Sequence, residues 1–588
     1  MSDQTEDVLP LLHVPWHGRP LIRLTILVLL FQLLAARVSY LIAPTAVASE
    51  PTFEEIFARS RTRPRLLSQT VEQADNAARL EGLVAAKTSA FAGRTNETIV
   101  PVTAVLLSWK RHRGLDLVLR YVAKHPFVRE IIVWNNNVDV FVDRDDIAAR
   151  LGAAAPEIRV VNSPNNLHDL GKHYACALAT NEHCYFNDDD WLNVRLDAQY
   201  VKYIDDGARR IVSTTLPYIA WESRRWRFAN PAVELHTGFT WIGAGAFAPR
   251  DFSQRFLSQL GTPAASIPAE RMLTADMLFS LWTNAYPEQM PTELVPIDVE
   301  GSDVAWKASV PDQWAVFFPA ILDAVRLLFD IISAKDPFLS PDPFPIAPVA
   351  PAHDAHAACA NDRCLFLTNL SPFPSPADLS FPAPIPPKRS IRDTFRWRSR
   401  RHAHQPPTGF NPHAIQHIRE HEARFDALAD AARGLNRFPP VEWFVERGSW
   451  HLAVDGVSEH CWDSWFPPAS GDYIGLYLVT PRVVGRIEVV GSADLAQLVS
   501  ADQGIGATGS TAGAWEIWTL DRNATDWEQR SISSSTSSRT DGSFERVVIE
   551  LVPTASAAPI SKLRFVSSDA KRQPVRVCGF TIDDDLTI

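Results

Sequence analysis

The chain has 588 residues, of which 46% are apolar and 21% charged, and its net charge is −11. That is an ordinary globular composition, and the length exceeds one hydrophobic core, so about three or four domain-sized units are expected. An acidic balance, with a pI near 5.9, excludes nucleic acid as a general partner.

The chain begins with a polar tail holding Arg19 and Arg23, then an apolar run from Leu24 to Ala36. Arg37 interrupts, and residues to Ala48 are again mostly apolar. Together the runs reach the ~20 residues that cross a bilayer. The arginines before them keep the tail cytoplasmic by the positive-inside rule. The sequence therefore predicts a tail at 1–23, a transmembrane signal anchor at 24–48 and a lumenal remainder. A cleaved signal peptide ending at Ala46-Val47-Ala48 is the alternative. Both place the rest of the chain in the secretory pathway. Sequons at Asn96 and Asn523 agree with that compartment. Six cysteines permit three disulfides. Cys359 and Cys364 can close a small loop, and Cys461 and Cys578 lie near the two ends of the last unit. Cys176 and Cys184 are left open as a bond or as two buried thiols.

Residues 49–100 are polar and Arg/Glu-rich with some helical periodicity, and read as a stem. From Val102 the pattern alternates. VTAVLLS (Val102 to Ser108), IIVWNNN (Ile131 to Asn137), IRVVN (Ile158 to Asn162) and CYF (Cys184 to Phe186) read as buried strands. Helical spacing at Leu115 to Val122, Asp145 to Leu151 and Leu170 to Ala179 separates them. Such alternation predicts a parallel, helix-covered sheet. Ligands of these sheets bind outside the carboxyl ends of the strands. Here those ends carry Trp109-Lys110-Arg111, then Asn135 and Asn136, then Asn165 and Asn166 with Lys172 and His173. The last run ends in Asp188, Asp189 and Asp190. Side chains alternate along an extended segment, so Asp188 and Asp190 can share a face while Asp189 points away. Two hard carboxylates suit Mn²⁺ or Mg²⁺, which keep positions open for phosphate oxygens. Amides and cations beside them suit a nucleotide diphosphate. The plainer alternative is that Asn and Asp make turns after strands.

With VWNN (Val133 to Asn136), DDD (Asp188 to Asp190) and WIGAGAFAPRDF (Trp241 to Phe252) followed by an acidic helix at Asp276, residues 102–299 resemble the exostosin-like N-acetylhexosaminyltransferases, of the GT-A fold. The resemblance implies a metal-dependent retaining glycosyltransferase with a GT-A, Rossmann-like α/β domain at 101–335. It implies Mn²⁺ (or Mg²⁺) on Asp188 and Asp190. The UDP-sugar would then meet Arg111, Asn135, Asn136, Asn166, Lys172, Asp188 and Asp189, and Asp276 would be the catalytic carboxylate. A glycan or glycoprotein is the implied acceptor. The implied location is the Golgi or endoplasmic reticulum membrane, as a single-pass type II protein. The first strand is followed by Trp109-Lys110-Arg111 where the family often has Tyr-Asn-Arg. The family's paired acid on the late helix is Ala275-Asp276, and its C-terminal Arg has only Lys307 and Arg326 as candidates. Asp276 lies in RMLTADMLFSLW, a half-buried helix. A charge there needs a partner, such as Arg271, or a function.

After an amphipathic stretch at Ala320 to Ala334, residues 336–439 read as a Pro-rich linker with a helix at Pro412 to Leu435. CLFLTN (Cys364 to Asn369) is expected to pack on the catalytic core. From Trp443 short alternating segments with Gly/Ser turns predict an all-β sandwich over 440–588. AVDGVSEHCWDSW (Ala453 to Trp465) resembles the start of discoidin-like, coagulation-factor type C domains, which are jelly rolls that often bind glycans or lipid headgroups. Two rival readings remain. One is a catalytically inactive glycan-binding membrane protein. The other is a Ca²⁺-stabilised adhesion protein, for which EF-hand spacing is absent.

Overall fold

A computed structural model describes residues 69–93, 99–109, 111–230, 234–260, 275–297, part of a helix within 321–332, 355–373, 443–492, 515–521, 524–539, 544–552, 558–568, 573–583 and 586–587. The tail, the expected anchor, both sequons, Lys110, Lys307, Arg326 and the expected helix at Pro412 to Leu435 lie outside these residues. Among the described residues no helix is long and apolar enough to cross a membrane.

Within the stretch read as a stem, helix α1 (Gln69–Ala86) packs Leu80 and Val84 into the core of the α/β unit. The α/β unit then runs β1 (Val102–Ser108), α2 (His112–Val122), β2 (Val128–Asn135), α3 (Arg144–Leu151), β3 (Glu157–Asn162), α4 (Leu170–Ala177), β4 (His183–Asp188), β5 (Trp191–Leu192) and α5 (Leu196–Asp205). It continues through β6 (Val212–Thr215), α6 (Pro217–Arg225), β7 (Arg227–Asn230), β8 (Leu235–Gly238), β9 (Ala246–Pro249), α7 (Arg250–Leu260), α8 (Ala275–Trp282), β10 (Glu288–Pro291) and β11 (Val295–Pro296). Seven strands form one sheet in the order β10-β6-β9-β4-β1-β2-β3. Strands β3, β2, β1 and β4 are mutually parallel. β9 runs antiparallel between β4 and β6. The sheet is thus mixed rather than wholly parallel as the alternation predicts, with β9 a reversed strand that the apolar runs did not reveal.

The apolar runs are continuous because both faces are covered. Alternate residues serve opposite sides. Ala104, Leu106, Ile131, Val133, Tyr185 and Phe247 pack under α2 and α5. Val105, Ile132, Cys184, Phe186, Ala246 and Ala248 pack with α4, α7 and α8 on the other side. Ile321, Ala324, Val325 and Leu328 are helical and close that second core, as the amphipathic spacing predicts. The register aligns the carboxyl ends of the strands. Leu107 pairs with Asp188, Ser108 with Asn135 and Asn135 with Asn162.

The C-terminal unit has two sheets, as expected. One has the order β12-β13-β15-β21-β17-β18 and the other β14-β22-β16-β20-β19, with β23 on β22. Their strands are β12 (Ala355–Ala358), β13 (Cys364–Thr368), β14 (Trp462–Asp463), β15 (Tyr473–Arg482), β16 (Arg486–Gly491), β17 (Trp515–Asp521), β18 (Glu528–Arg530), β19 (Ile532–Arg539), β20 (Glu545–Leu551), β21 (Ile560–Ser567), β22 (Arg576–Ile582) and β23 (Leu586–Thr587). The boundary expected at residue 440 is therefore corrected. β12 and β13 come from the stretch read as linker, and they complete the first sheet at its edge. Proline density around them masks two strands of four and five residues. CLFLTN does pack on the core of the α/β unit, but with one face. Leu365 joins the core around Phe247, while Phe366 joins the sandwich core. Disulfides join Cys359 to Cys364, Cys461 to Cys578 and Cys176 to Cys184, and no cysteine is free.

Candidate active site

The site lies at the carboxyl edge of β1 and β4. Asp188 ends β4, and its backbone N–H donates to the Gly243 carbonyl at 2.7 Å. A side chain at Gly243 has no room, because a Cβ there would stand 2.3 Å from Asp188 Oδ2. Gly245 has φ +120°, and a Cβ on it would meet the Asn193 amide at 2.5 Å. The WIGAGAF motif thus needs glycine twice, once for space and once for a left-handed backbone.

The triplet divides as alternation predicts. Asp189 is buried and faces inward. Its carboxylate accepts from Ser108 Oγ and the Trp109 N–H, both at 3.2 Å, and from Arg111 at 2.5 Å. It therefore anchors the end of β1 and the start of α2. Arg111 also lies 3.4 Å from Asp190 Oδ2. Burial alone would lower the Arg111 pKa; Asp190 and Asp189 outweigh it and hold the guanidinium charged.

Asp188 and Asp190 carry the opening. Asp188 Oδ1 and Asp190 Oδ1 are buried and accept no hydrogen bond. Lys172 Nζ stands 3.0 Å from that Asp188 oxygen, in a geometry that makes no hydrogen bond, and 3.1 Å from the other. Burial pushes the Asp188 carboxyl up to about 7, against the pull of Lys172, and also raises Asp190. Buried carboxylate oxygens without donors are costly unless a cation meets them. This pair fits a hard divalent ion such as Mn²⁺ or Mg²⁺.

Lys172 is fully buried in the first turn of α4. Besides Asp188 it meets Asp276 Oδ2 at 2.5 Å and Asp169 Oδ1 at 3.7 Å. Asp276 opens α8, and its Oδ1 is 3.3 Å from His173 Nε2. Burial works to raise Asp276, but Lys172 and His173 hold it below the usual carboxylate range. Burial lowers the His173 pKa, against the pull of Asp276. Arg271, the partner the sequence offered, lies outside the described residues, and Lys172 and His173 take that role. Asp169 was missed, and His173 was read with Lys172 as a polar residue at a strand end but given no partner, since no local spacing ties either to Asp276.

The asparagines turn inward. Asn135 Nδ2 donates to the Val140 carbonyl at 2.6 Å and to Asn162 at 2.9 Å, and its Oδ1 accepts from the Asn137 N–H. Asn136 bonds Trp134 Nε1, the Leu167 N–H and the His168 carbonyl. Through these bonds both side chains build the loops at the rim. Asn166 Oδ1 accepts from the His168 N–H at 2.9 Å and shapes the turn into α4.

No protein-family model matches the chain, and no curated protein matches it. Solved structures do align with it. A mannosyltransferase of Pyrobaculum calidifontis, in complex with GDP-Man and Mn²⁺, is 14% identical over 51% of this chain and 86% of its own, with a TM-score of 0.25. Glucosyl-3-phosphoglycerate synthase of Mycobacterium tuberculosis, with Mn²⁺, UDP-glucose and glycerol 3-phosphate, is 14% identical over 45% and 86%, with a TM-score of 0.25. Mannosyl-3-phosphoglycerate synthase of Rubrobacter xylanophilus is 14% identical over 48% and 92%, with a TM-score of 0.27. TM-scores at this level leave the functional reading to the chemistry of the site.

The disulfide Cys176–Cys184 ties α4, which carries Lys172 and His173, to β4, which ends at Asp188. A second feature lies at one end of the sandwich, a cleft of about 420 Å³ lined by Trp443, Asp463, Trp465, Phe544 and Arg576 among others. The Trp443 and Trp465 rings meet edge to face at 4.5 Å. Arg576 grips Asp463 through two hydrogen bonds of 2.5 and 2.7 Å. Trp465 Nε1 is buried there without a partner.

Proposed function

We propose that this protein is a metal-dependent glycosyltransferase that moves a sugar from a sugar nucleotide to a glycan or glycoprotein acceptor. The observation that carries it is that Asp188 and Asp190, at the carboxyl end of β4, each hold a buried carboxylate oxygen that accepts no hydrogen bond, with Lys172 3.0 Å from that of Asp188. When bound there, Mn²⁺ or Mg²⁺ supplies positive charge that stabilises a departing diphosphate. The chain's own residues do the rest. Lys172 adds a second, fixed positive charge beside Asp188, in a setting where such charges act strongly. Asp276 stays ionised on Lys172 and His173, placed to stabilise positive charge at the sugar or to orient an acceptor hydroxyl. Asp189 with Ser108 and Arg111 locks the strand ends so that neither carboxylate drifts.

A UDP-sugar donor, N-acetylhexosamine transfer and retention of anomeric configuration follow the exostosin-like resemblance and belong to this proposal. So do the Golgi or endoplasmic reticulum location and the type II membrane anchor. The sandwich cleft favours a companion role, since apolar ring faces with a planar charged pair suit a saccharide. That cleft also favours the rival reading of a glycan-binding protein without turnover. The deciding experiment titrates UDP, GDP and a panel of their sugar conjugates with and without Mn²⁺, then follows hydrolysis and transfer. Mn²⁺-dependent nucleotide binding with turnover supports the enzyme. Binding without turnover for every donor and acceptor tried moves the chain to the rival reading. Metal-independent or absent nucleotide binding sinks the proposal.

A further inference from the structure

Helix α5 begins six residues after Asp190, yet its own N-cap position, Arg195, gives no capping hydrogen bond, and its guanidinium donates instead to the Ala360 carbonyl. The cap comes from the other unit. Asp362 accepts from the Asp197 N–H at 3.0 Å and the Ala198 N–H at 2.9 Å. It sits on the turn between β12 and β13, where Cys359–Cys364 closes the loop, and it takes a left-handed φ of +57°. Lys87, just after α1, joins Asp362 at 2.5 Å to Asp197 at 3.1 Å. His125, Asp197 and Asp362 are spaced as metal ligands could be, but the Lys87 ammonium already lies on both carboxylates. The far end of α5 is held as well, with Lys562 of β21 donating to both oxygens of Asp205 at 2.8 Å. The sandwich thus grips both ends of one catalytic-domain helix.

That helix reaches the Asp triplet through buried hydrogen bonds. Gln199 accepts from Asn193 Nδ2 at 2.6 Å and donates to the Gly245 carbonyl at 3.0 Å. Asn193 Nδ2 also reaches the Tyr185 hydroxyl at 3.2 Å, and that hydroxyl donates to Asn187 Oδ1 at 2.9 Å. Asn187 Nδ2 then donates to the backbone carbonyls of Asp188 and Trp191 at 2.6 and 2.9 Å. An α5 that shifts or frays at its first turn displaces Gln199, and with it the backbone that aims Asp188 and Asp190.

We infer that Asp362 is a positioning residue for the metal-binding carboxylates, so that the β-sandwich is a working part of the catalytic scaffold. The inference rests on the reading of Asp188 and Asp190 as metal ligands, and its test separates the two. The full chain and its Asp362→Ala and Asp362→Asn variants are titrated with Mn²⁺ alone, followed by the electron paramagnetic resonance of the free ion. Hydrogen exchange is measured in parallel over residues 184–200. The cap's share, about 1 kcal/mol, corresponds to about fivefold weaker Mn²⁺ binding in Asp362→Ala, separate from the fold stability lost when Lys87 gives up one of its two carboxylate partners. Asn keeps one oxygen acceptor, so Asp362→Asn is expected to fall between. Exchange is expected to rise in the first turn of α5 and also over Asp188 to Asn193. A folded Asp362→Ala chain with unchanged Mn²⁺ affinity overturns the inference. Faster exchange confined to α5 overturns it too. If the wild type binds no Mn²⁺, the metal reading fails and exchange over Asp188 to Asn193 alone decides the positioning role. If Asp362→Ala does not fold, Asp362→Asn is judged by the same two measurements.

Discussion

Lys172 Nζ lies 2.5 Å from Oδ2 of Asp276, across 104 residues of sequence. The pair joins α4 to α8, and Asp188 shares the same ammonium at 3.0 Å. One buried cation therefore sets the spacing between Asp188 and Asp276. Removing one partner of a buried ion pair leaves an uncompensated charge and costs about 3–5 kcal/mol. Lys172→Met is expected to lower stability by that order in chemical denaturation. Added Mn²⁺ should recover part of the loss, because it neutralises Asp188. A variant as stable as wild type would show the carboxylates to be neutral already.

Asp190→Ala is expected to abolish Mn²⁺-dependent UDP binding and to leave the fold intact. Its buried Oδ1 accepts no hydrogen bond, and the ion pair of its Oδ2 with Arg111 is backed by the shorter one from Asp189. The thermal midpoint without metal should therefore stay close to that of wild type. Unchanged Mn²⁺-dependent affinity, read by calorimetry, would sink the ligand assignment.

Asp276→Asn keeps the shape of the side chain and removes its charge. UDP affinity is expected to persist while turnover falls by about 10²–10⁴-fold. Steady-state kinetics with a donor that wild type turns over makes the check. Transfer at the wild-type rate would make Asp276 a structural partner of Lys172 and nothing more.

The Asp188 carboxyl, raised from 3.8 to about 7, gives a pH dependence. Between those values the native chain keeps a proton that the unfolded chain has released, so metal-free stability falls as pH rises through the window. A metal needs the carboxylate form, so binding releases that proton. Mn²⁺ affinity is expected to grow by up to about tenfold per pH unit below about 7 and to level off above it. The thermal shift produced by Mn²⁺ should grow in the same direction. A flat profile between acid and neutral pH would place the proton elsewhere.

A segment starting at residue 440 is expected not to fold alone, because it lacks β12 and β13 and with them Ala357, Phe366 and Phe373 of the sandwich core. Exposing their partners costs several kcal/mol at usual core values. Far-ultraviolet circular dichroism and proteolysis of that segment provide the check, and a cooperative, disulfide-bonded fold would refute the shared-strand view.

Much of this arrangement was legible in the sequence. β1 to β4 announce themselves because strands buried on both faces need unbroken apolar runs, and the Asp triplet stands out where such a run stops. The three disulfides were bounded by cysteine count, although Cys176 and Cys184 carried no signal that separates a bond from two thiols. What stayed hidden depends on contacts between distant segments. Asn135 and Asn136 have the residue types of a binding site, yet their amides are consumed by Asn162, Trp134 and nearby backbone. Asp276 gave away its burial but not its partner. β12 and β13 are short and lie among prolines, so their pairing with β15 is a tertiary fact.

The Cys176–Cys184 bond has a consequence for how the protein is made. Its two thiols leave the ribosome within roughly a second of each other at ordinary translation rates. In an oxidising compartment they can join while Gly243 and Asp276 are still unsynthesised. The helix holding Lys172 and the strand holding Asp188 are then fastened before the second half of the site exists. Asp276 arrives last, to a cation already in place. Synthesis in a reducing compartment would leave that order to chance, and chains folded there should assemble the site more slowly than chains made where the bond can form.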